Sequence, residues 1–326
     1  MAANDGQLSD LVRRQYGLAA AILCTSARAR STEIDITSQL KSKAYEQLIR
    51  AGHDAIASVR SFDPGPAAPD VRASRGRAAE IMCVDHLDLI EKSSFYVTDQ
   101  SGYRVLRDLK GFTALVNRIF DRLIPSYYRR NFSSEFRNAM GAFAFELISN
   151  THDHARTDVF GKILSKSLRG LYARHYELGI DQLLKSAQGF EPLLSYFTNI
   201  TANGSTRSKI IELSVYDCGP GLASRWRGVP LDQLLHDEEL AAVRECFRPG
   251  STTKNHYSFG GGLPLVLQLL SDHRGFIRIR TGHLSLFWDG AQASDFNLQV
   301  WTLPGVQKLS PVLGTVVSVL VPVPEL

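Results

Sequence analysis

Three polar side chains lie at the end of a strongly apolar stretch of the chain, in the segment ELISNTHDHA. Glu146, Asn150 and Asp153 are separated by four and then three residues, and these spacings bring side chains to one face of an α-helix. An unpaired polar group in a buried position costs about 1–3 kcal/mol. The three side chains therefore either face solvent or are paired with protein groups, water or a ligand, and the spacing alone leaves these alternatives open.

A second candidate site lies at the end of a predicted strand, in the segment VYDCGPGL. Asp217 closes the strand, and Gly219 and Gly221 follow it. Glycines let the chain turn tightly and let a planar ligand approach the backbone. A carboxylate at this point is an acceptor for an amino group such as the exocyclic amine of adenine. An ordinary turn between strand and loop is the alternative, and GPGLAS does not complete a dinucleotide-binding G-x-G-x-x-G pattern.

A third candidate site combines a polar loop with a glycine cluster, in the segment RPGSTTKNHYSFGGGLPLVLQLL. Gly260, Gly261 and Gly262 precede a predicted helix, and backbone N–H groups at such a terminus bind phosphate well. Thr253 and Lys254 in the loop could reach a terminal phosphate. A glycine-rich hinge before a packing helix is the alternative, and the chain contains no G-x-x-x-x-G-K-[ST] phosphate-binding pattern.

These segments must be positioned by the elements around them. The pattern predicts a helix from Ser133 to about His154, with Ser133 or Ser134 as its N-cap, and strands at 168–178 and 209–217. A helical insertion at about 180–206 separates the two strands. An apolar helix follows the glycine cluster, and the chain ends in segments typical of antiparallel strands: FIRIRTGHLSLFWDG, FNLQVWTL and TVVSVLVPV. Helices followed by such strands predict a two-layer α/β sandwich with a mostly antiparallel sheet.

The first 125 residues are predicted to form a separate, mixed α/β region of unknown role. Residues 1–60 are expected to contain two helices and a short strand, and the clearest break in the chain is the Pro-, Gly- and Ala-rich loop at about 61–78. A mixed stretch and a helix at about 110–123 follow. The second predicted domain covers residues 126–326.

The bulk composition indicates a globular protein with no strong charge bias. Of its 326 residues, 44% are hydrophobic and 21% are charged, and the net charge is +4. No part of the chain concentrates positive charge, so nucleic-acid binding is not indicated. No apolar run approaches the ~18 residues of a membrane-spanning helix, so no membrane association is expected.

The cysteines and histidines do not have the spacing of a metal site or a disulfide framework. No C-x-x-C pair occurs, and His152 and His154 would point to different sides of a helix. The scattered cysteines favour a reducing compartment, so we expect a cytoplasmic protein; they are Cys24, Cys83, Cys218 and Cys246.

Together, the order of these motifs resembles the GHKL superfamily of ATP-binding domains. This superfamily includes gyrase, the ninety-kilodalton heat-shock chaperones, histidine kinases and the mismatch-repair MutL proteins. The resemblance covers residues 133–322: ELISN-x-x-D, then D-x-G-x-G at a strand end, then STTK and GGGL, then Gly314-Thr315 before the last strand. It implies a Bergerat-type α/β sandwich, ATP and Mg²⁺ as cofactors, and an ATPase of the hydrolase class.

The resemblance also implies a role for each matched residue. Glu146 would be the general base for the attacking water, and Asn150 would hold Mg²⁺. Asp217 would accept the adenine amine, supported by Thr315 through a water. The remaining positions would line the nucleotide pocket or contact phosphate: Asp153, Gly219, Gly221, Thr253, Lys254, Gly260, Gly261, Gly262 and Leu263. Pro264 replaces a glycine that is usual in the histidine-kinase form, so phosphate contacts there are expected to differ.

The expected function is a nucleotide-driven switch that hydrolyses ATP and acts on a protein partner or within a homodimer. Two alternatives stay open. The first is a protein kinase of the anti-sigma or sensor-kinase type, although no phosphoacceptor helix is visible in the sequence. The second is an ATP-sensing module without turnover. Dimerisation and a protein partner are implied only by analogy with relatives.

Overall fold

The computed structural model describes the chain from residue 78 onward with several gaps, and only four residues before that point. The described residues are 39–40, 42–43, 78–85, 94–125, 128–129, 132–202, 206–248, 250, 262–292, 296–302, 306 and 308–323. Most of the predicted elements of residues 1–60 lie outside these ranges, and so does the predicted loop at about 61–78 except for its last residue, Ala78, which is in a strand. Thr253, Lys254, Gly260 and Gly261 also lie outside them.

A seven-stranded sheet is the centre of the described structure. Its strand order is β1-β4-β5-β9-β6-β7-β8, and each of these neighbouring pairs is antiparallel. A separate hairpin is formed by β2 and β3. The strands are β1 (Ala78–Val84), β2 (Tyr96–Thr98), β3 (Arg104–Leu106), β4 (Leu168–Gly179), β5 (Arg207–Asp217), β6 (Phe276–Gly282), β7 (Leu284–Asp289), β8 (Gln299–Val300) and β9 (Val312–Pro322).

Helices pack on this sheet, as the predicted α/β sandwich requires. They are α1 (Leu109–Leu123), α2 (Ser134–His154), α3 (Ile180–Ser186), α4 (Glu191–Thr201), α5 (Leu222–Arg227), α6 (His236–Cys246) and α7 (Leu263–Asp272), with a 3₁₀ turn at Leu231–Gln233. The predicted fold class, mixed α and β with a mostly antiparallel sheet, is confirmed. Among the described helices, none is long and apolar enough to cross a bilayer.

The central helix α2 forms where the sequence predicts it. The Ser133 side chain accepts a hydrogen bond from the Phe136 backbone N–H at 3.1 Å, which satisfies one of the donors that a helix N-terminus leaves open. Buried side chains occupy most of the helix circumference, including Met140, Phe143 and Ile148. The helix is therefore held by packing on several sides, and its polar face at Glu146–Asp153 lies in a tightly constrained position.

The two faces of the sheet carry separate hydrophobic clusters. Inward side chains at odd positions of β5, such as Ile211 and Leu213, pack with α1, α2 and α7 in the larger cluster. Ile210, on the opposite face, packs instead with Leu183, Tyr196 and Phe197 of α3 and α4, since successive side chains of a strand point to opposite faces. The predicted insertion thus covers part of the second face of the sheet and adds a partial third layer.

Part of the predicted N-terminal region shares the core of the second region. Strand β1 pairs with β4 along its whole length, from Ala78 opposite Arg174 to Val84 opposite Leu168. Side chains of α1 belong to the same cluster as those of α2 and the sheet. Residues on both sides of position 125 therefore form one core, and where a domain boundary lies stays a prediction.

Candidate functional site

The polar face of α2 runs from the protein interior to the surface. Glu146 is 7% exposed, Asn150 one turn later is half-buried, and Asp153 is exposed. Because each step moves along the same face of the helix, the three side chains form a continuous polar path into an otherwise apolar interior. A purely solvent-facing stripe does not describe this arrangement, since its first member is buried.

The loop after β5 lies against the C-terminal end of α2. The Gly219 backbone N–H donates to Asp217 Oδ1 at 2.8 Å, which fixes the start of the loop. A Cβ atom added at Gly219 would lie 2.6 Å from the Cα of Ala155, closer than such contacts occur in proteins. Only glycine permits this approach. The structure thus brings the first two predicted motifs together, although they are far apart in sequence.

Strands β6 and β9 complete this part of the site. A Cβ at Gly314 would lie 2.0 Å from the Asp217 carbonyl oxygen, and Gly314 has φ +72°, so this position excludes other residues. Thr281 Oγ1 accepts a hydrogen bond from the Leu222 N–H at 3.1 Å and lies 3.2 Å from Thr315 Oγ1. Thr315 is buried, and its backbone N–H donates a hydrogen bond to the Asp217 carboxyl.

The Asp217 carboxyl has a pKa above that of an ordinary aspartate. Burial raises its pKa from 3.8 to about 6, while hydrogen bonds from the backbone of Gly219 and Thr315 and the charges of Arg169 and Arg225 act in the opposite direction. A carboxyl with a raised pKa beside glycines that keep the backbone bare is a typical feature of ligand sites. Its oxygens suit an amino group as ligand.

A buried ionic cluster lies beside Asp217. Arg169 is fully buried, and its Nη2 donates to Asp85 Oδ1 at 2.7 Å and also to the Tyr96 hydroxyl. Burial acts to raise the pKa of Asp85, but the hydrogen bonds and charge of Arg169, aided by Ser167, leave this pKa below its ordinary value. The cluster joins the end of β1, the β2–β3 hairpin and the start of β4.

His152 connects this cluster to α2. Its Nδ1 lies 2.8 Å from the Tyr96 hydroxyl. Burial, together with the charges of Arg169 and Arg156, lowers the pKa of His152 to about 4, so the ring is neutral at ordinary pH. His152 therefore acts as a hydrogen-bonding partner between the hairpin and the helix that carries Asn150.

The third predicted motif is only partly within the described residues. Gly262 has φ +63° and precedes α7, which begins at Leu263. The Leu263 side chain is buried in the main hydrophobic cluster, so only its backbone is available to a ligand. Helix α7 belongs to the same hydrophobic cluster as α2. Gly262 therefore lies on the face of the sheet that α1 and α2 cover, and not on the face that α3 and α4 cover.

No group of three or more His, Cys, Asp or Glu side chains that could hold a metal occurs among the described residues. A magnesium ion bound with a nucleotide needs only one or two protein oxygens, because phosphates and waters supply the rest. Asn150 can supply such an oxygen, and its assignment to Mg²⁺ stays a prediction.

Arg169, Asp85, Tyr96 and Thr281 are parts of this site that the motif pattern does not include. Arg169 had a signal in the sequence: it has the same odd-numbered phase as the inward-facing Leu171 and Ala173 of β4. Extending that alternation by one step predicts a buried arginine, which needs a partner. Its partner Asp85 has no comparable signal.

Comparison with known proteins gives no independent support for an assignment, since no protein-family model, no curated protein and no solved structure matches the chain.

Proposed function

We propose that the protein binds ATP with Mg²⁺ between α2 and the Asp217 loop, hydrolyses it, and acts as a nucleotide-driven switch on a protein partner or on a second copy of itself. One observation carries this proposal: the loop of Asp217 and Gly219 packs directly on the end of the helix that presents Glu146 and Asn150. The first two motifs of the resemblance thus lie next to each other.

The Asp217 region would hold the adenine base of ATP. Its carboxylate accepts the exocyclic amine of adenine, while the backbone N–H groups of Gly219 and Thr315 hold the carboxylate in place. The glycines leave room for a flat ring against the backbone. Because Gly314 and Gly219 admit no Cβ without a clash, the shape of this pocket depends on the bare backbone there.

The polar face of α2 would serve the phosphate end. Bound Mg²⁺ would neutralise phosphate charge, which is the main requirement of phosphoryl transfer. Asn150 supplies an amide oxygen to the ion. Glu146, which lies one turn deeper and is buried, orients the attacking water and accepts its proton. Asp153, at the exposed end, lines the pocket.

The test follows the fate of ATP labelled on the γ-phosphate. The purified chain is incubated with labelled ATP and Mg²⁺, alongside Glu146→Gln and Asp217→Asn. We expect label in free phosphate for the unchanged protein, binding without turnover for Glu146→Gln, and neither for Asp217→Asn. Glu191→Gln is the control, because Glu191 is an exposed carboxylate in the first turn of α4 and should leave both properties unchanged.

Each other outcome has a definite meaning. Label on a protein would replace the ATPase by a kinase at the same site. Binding without release in the unchanged protein would leave a nucleotide sensor. Equal turnover in Glu146→Gln and the unchanged protein would remove Glu146 from its assigned role, and absence of binding would contradict the proposal altogether.

A further inference from the structure

Two arginines approach Asp217 from different elements of the fold. Arg169 of β4 is directly opposite Asp217 of β5 in the antiparallel register, so both side chains project from the same face of the sheet. Arg225 comes from α5, the helix that begins just after the Asp217 loop. Both guanidinium charges act on the Asp217 carboxyl.

The ion pair with Asp85 occupies only part of the Arg169 guanidinium group. Its Nε and Nη2 donate to the two oxygens of Asp85 at 3.2 and 2.7 Å. Its Nη1 is buried and has no hydrogen-bond partner among the described residues. Because an unpaired buried donor costs free energy, this group is an unusual feature of a fully enclosed side chain, and it belongs to the residue that pairs across the strands with Asp217.

Arg225 is anchored by uncharged acceptors. Its Nε donates to the His154 carbonyl at 3.0 Å, and its Nη2 donates to the carbonyl and the hydroxyl of Thr157 at 2.6 and 3.1 Å. These bonds hold the guanidinium at the C-terminal end of α2 without neutralising it. Its positive charge acts on both Asp158 and Asp217, so Asp158 offsets part of it.

We propose that Arg169 and Arg225 are positioning residues that preset Asp217 as an acceptor and thereby set the pH range in which the site binds an adenine base. The inference rests on the proposed function and deepens it. A charged carboxylate forms stronger hydrogen bonds with an amino group than a neutral carboxyl does. The arginines favour the charged form, whereas burial favours the neutral one.

The other charged and titratable groups around Asp217 do not supply this effect. Among the described residues, Asp85 and Cys83 lie at the end of β1, Tyr96 lies on β2, the neutral His152 lies on α2, and Cys218 is next to Asp217 in the chain. Asp158, which follows α2, carries a negative charge that acts on Arg225. Asp85 partly offsets the charge of Arg169. The β9 residue Thr315 contributes only its backbone N–H.

The test measures the Asp217 titration in the ligand-free protein by carboxyl NMR, and ATP affinity between pH 5 and 8. The unchanged protein should titrate near pH 6. In Arg225→Gln we expect the midpoint to rise by about half to one pH unit, because a positive charge nearby has been removed. ATP affinity should fall at and below neutral pH and be nearly unchanged at pH 8, and Arg225→Lys should restore the original profile.

A second variant covers the buried arginine. Arg169→Lys keeps the charge and should keep the midpoint close to that of the unchanged protein, whereas Arg169→Met should raise it if the variant folds. An unmoved midpoint in Arg225→Gln, or an affinity loss that is equal at every pH, would overturn the inference. A midpoint that moves in a protein that binds no ATP at pH 8 would instead overturn the proposed function while leaving the coupling of the arginines to Asp217 intact.

Discussion

Two carboxylates beside the same buried arginine behave in opposite ways. Asp85, at the end of β1, accepts two hydrogen bonds from Arg169 and one from Ser167 Oγ at 2.6 Å. Among the described residues, Asp217, at the end of β5, accepts hydrogen bonds from backbone N–H groups, and the charge of Arg169 acts on it without a direct hydrogen bond. The pKa of Asp85 is lowered, whereas that of Asp217 is raised to about 6.

The contrast indicates that side-chain hydrogen bonds from Arg169 and Ser167, more than nearness to a positive charge, keep the pKa of a carboxyl low in this part of the protein. Asp85 has its oxygens occupied by fixed donors, so its charge is compensated. The Asp217 carboxyl has fewer fixed donors, and its raised pKa predicts that its charged form destabilises the ligand-free protein at neutral pH. Residues that reduce stability in this way are commonly those that serve ligands.

Asp85→Asn should have the largest effect on stability. Breaking a buried ion pair leaves Arg169 uncompensated, and we expect a loss of about 3–5 kcal/mol in the free energy of unfolding at pH 7. Because the Asp85 pKa is lowered in the folded state, its contribution is present above the ordinary aspartate pKa and is lost as the pH falls through the folded value. Denaturant unfolding at several pH values measures both the loss in the free energy of unfolding and its dependence on pH.

The matched control is Asp121→Asn. Asp121 pairs with Arg137 at 3.4 Å, but its side chain is 50% exposed, so the change should cost less than about 1 kcal/mol. Similar losses in the two variants would show that the Asp85 cluster contributes no more than a surface pair.

Asp217→Asn should change stability in the opposite direction. The pKa of the carboxyl is about 6 in the folded protein, against an ordinary aspartate value of 3.8, so stability falls as the pH rises between these values. The shift of about two units corresponds to at most about 3 kcal/mol. The variant should therefore be more stable than the unchanged protein at pH 7, by a margin that disappears near pH 4.

Thermal unfolding of this variant at pH 7 and pH 4 gives the comparison, and loss of ATP binding should accompany the gain in stability. A variant that is less stable at pH 7 would mean that Asp217 is a structural carboxylate like Asp85, and the contrast between the two would fail.

Gly314→Ala should have the smallest of the three effects and tests backbone placement at Asp217 without changing any charge. The added methyl group would meet the Asp217 carbonyl at a φ of +72°, and we expect a loss of about 2 kcal/mol together with weaker ATP binding. Gly161→Ala is the control: it has φ +84° and nothing within 4 Å of the added atom, so only backbone strain of about 1 kcal/mol is expected. Equal losses on denaturant unfolding would show that the close approach at Gly314 has no effect of its own.

Local patterns were sufficient to predict the elements that carry the site. The cap at Ser133, the apolar circumference of α2 and the alternation around Leu213 each depend on neighbouring residues, and the structure confirms the helix and the strand. The position of Asp217 at the end of its strand is confirmed in the same way. The assignments of ATP, Mg²⁺ and turnover stay predictions.

The ionic cluster could not be predicted in the same way, because it depends on contacts between distant parts of the chain. Asp85 and Arg169 are 84 residues apart in sequence, and they meet only because β1 takes the place next to β4 at the edge of the sheet. No local periodicity encodes that pairing. The Pro-, Gly- and Ala-rich stretch at about 61–78 favoured the prediction of a separate N-terminal region instead.

The place of β1 in the sheet has a consequence for dissecting the protein. A fragment that begins at residue 126 would contain every matched nucleotide-binding motif, yet it would lack β1 and with it the Asp85 carboxylate. Strand β4 would then become an unprotected edge, open to pairing with other molecules, and Arg169 would be left without its anion. Such a fragment is expected to aggregate when it is expressed, whereas one that begins before Ala78 retains the edge strand.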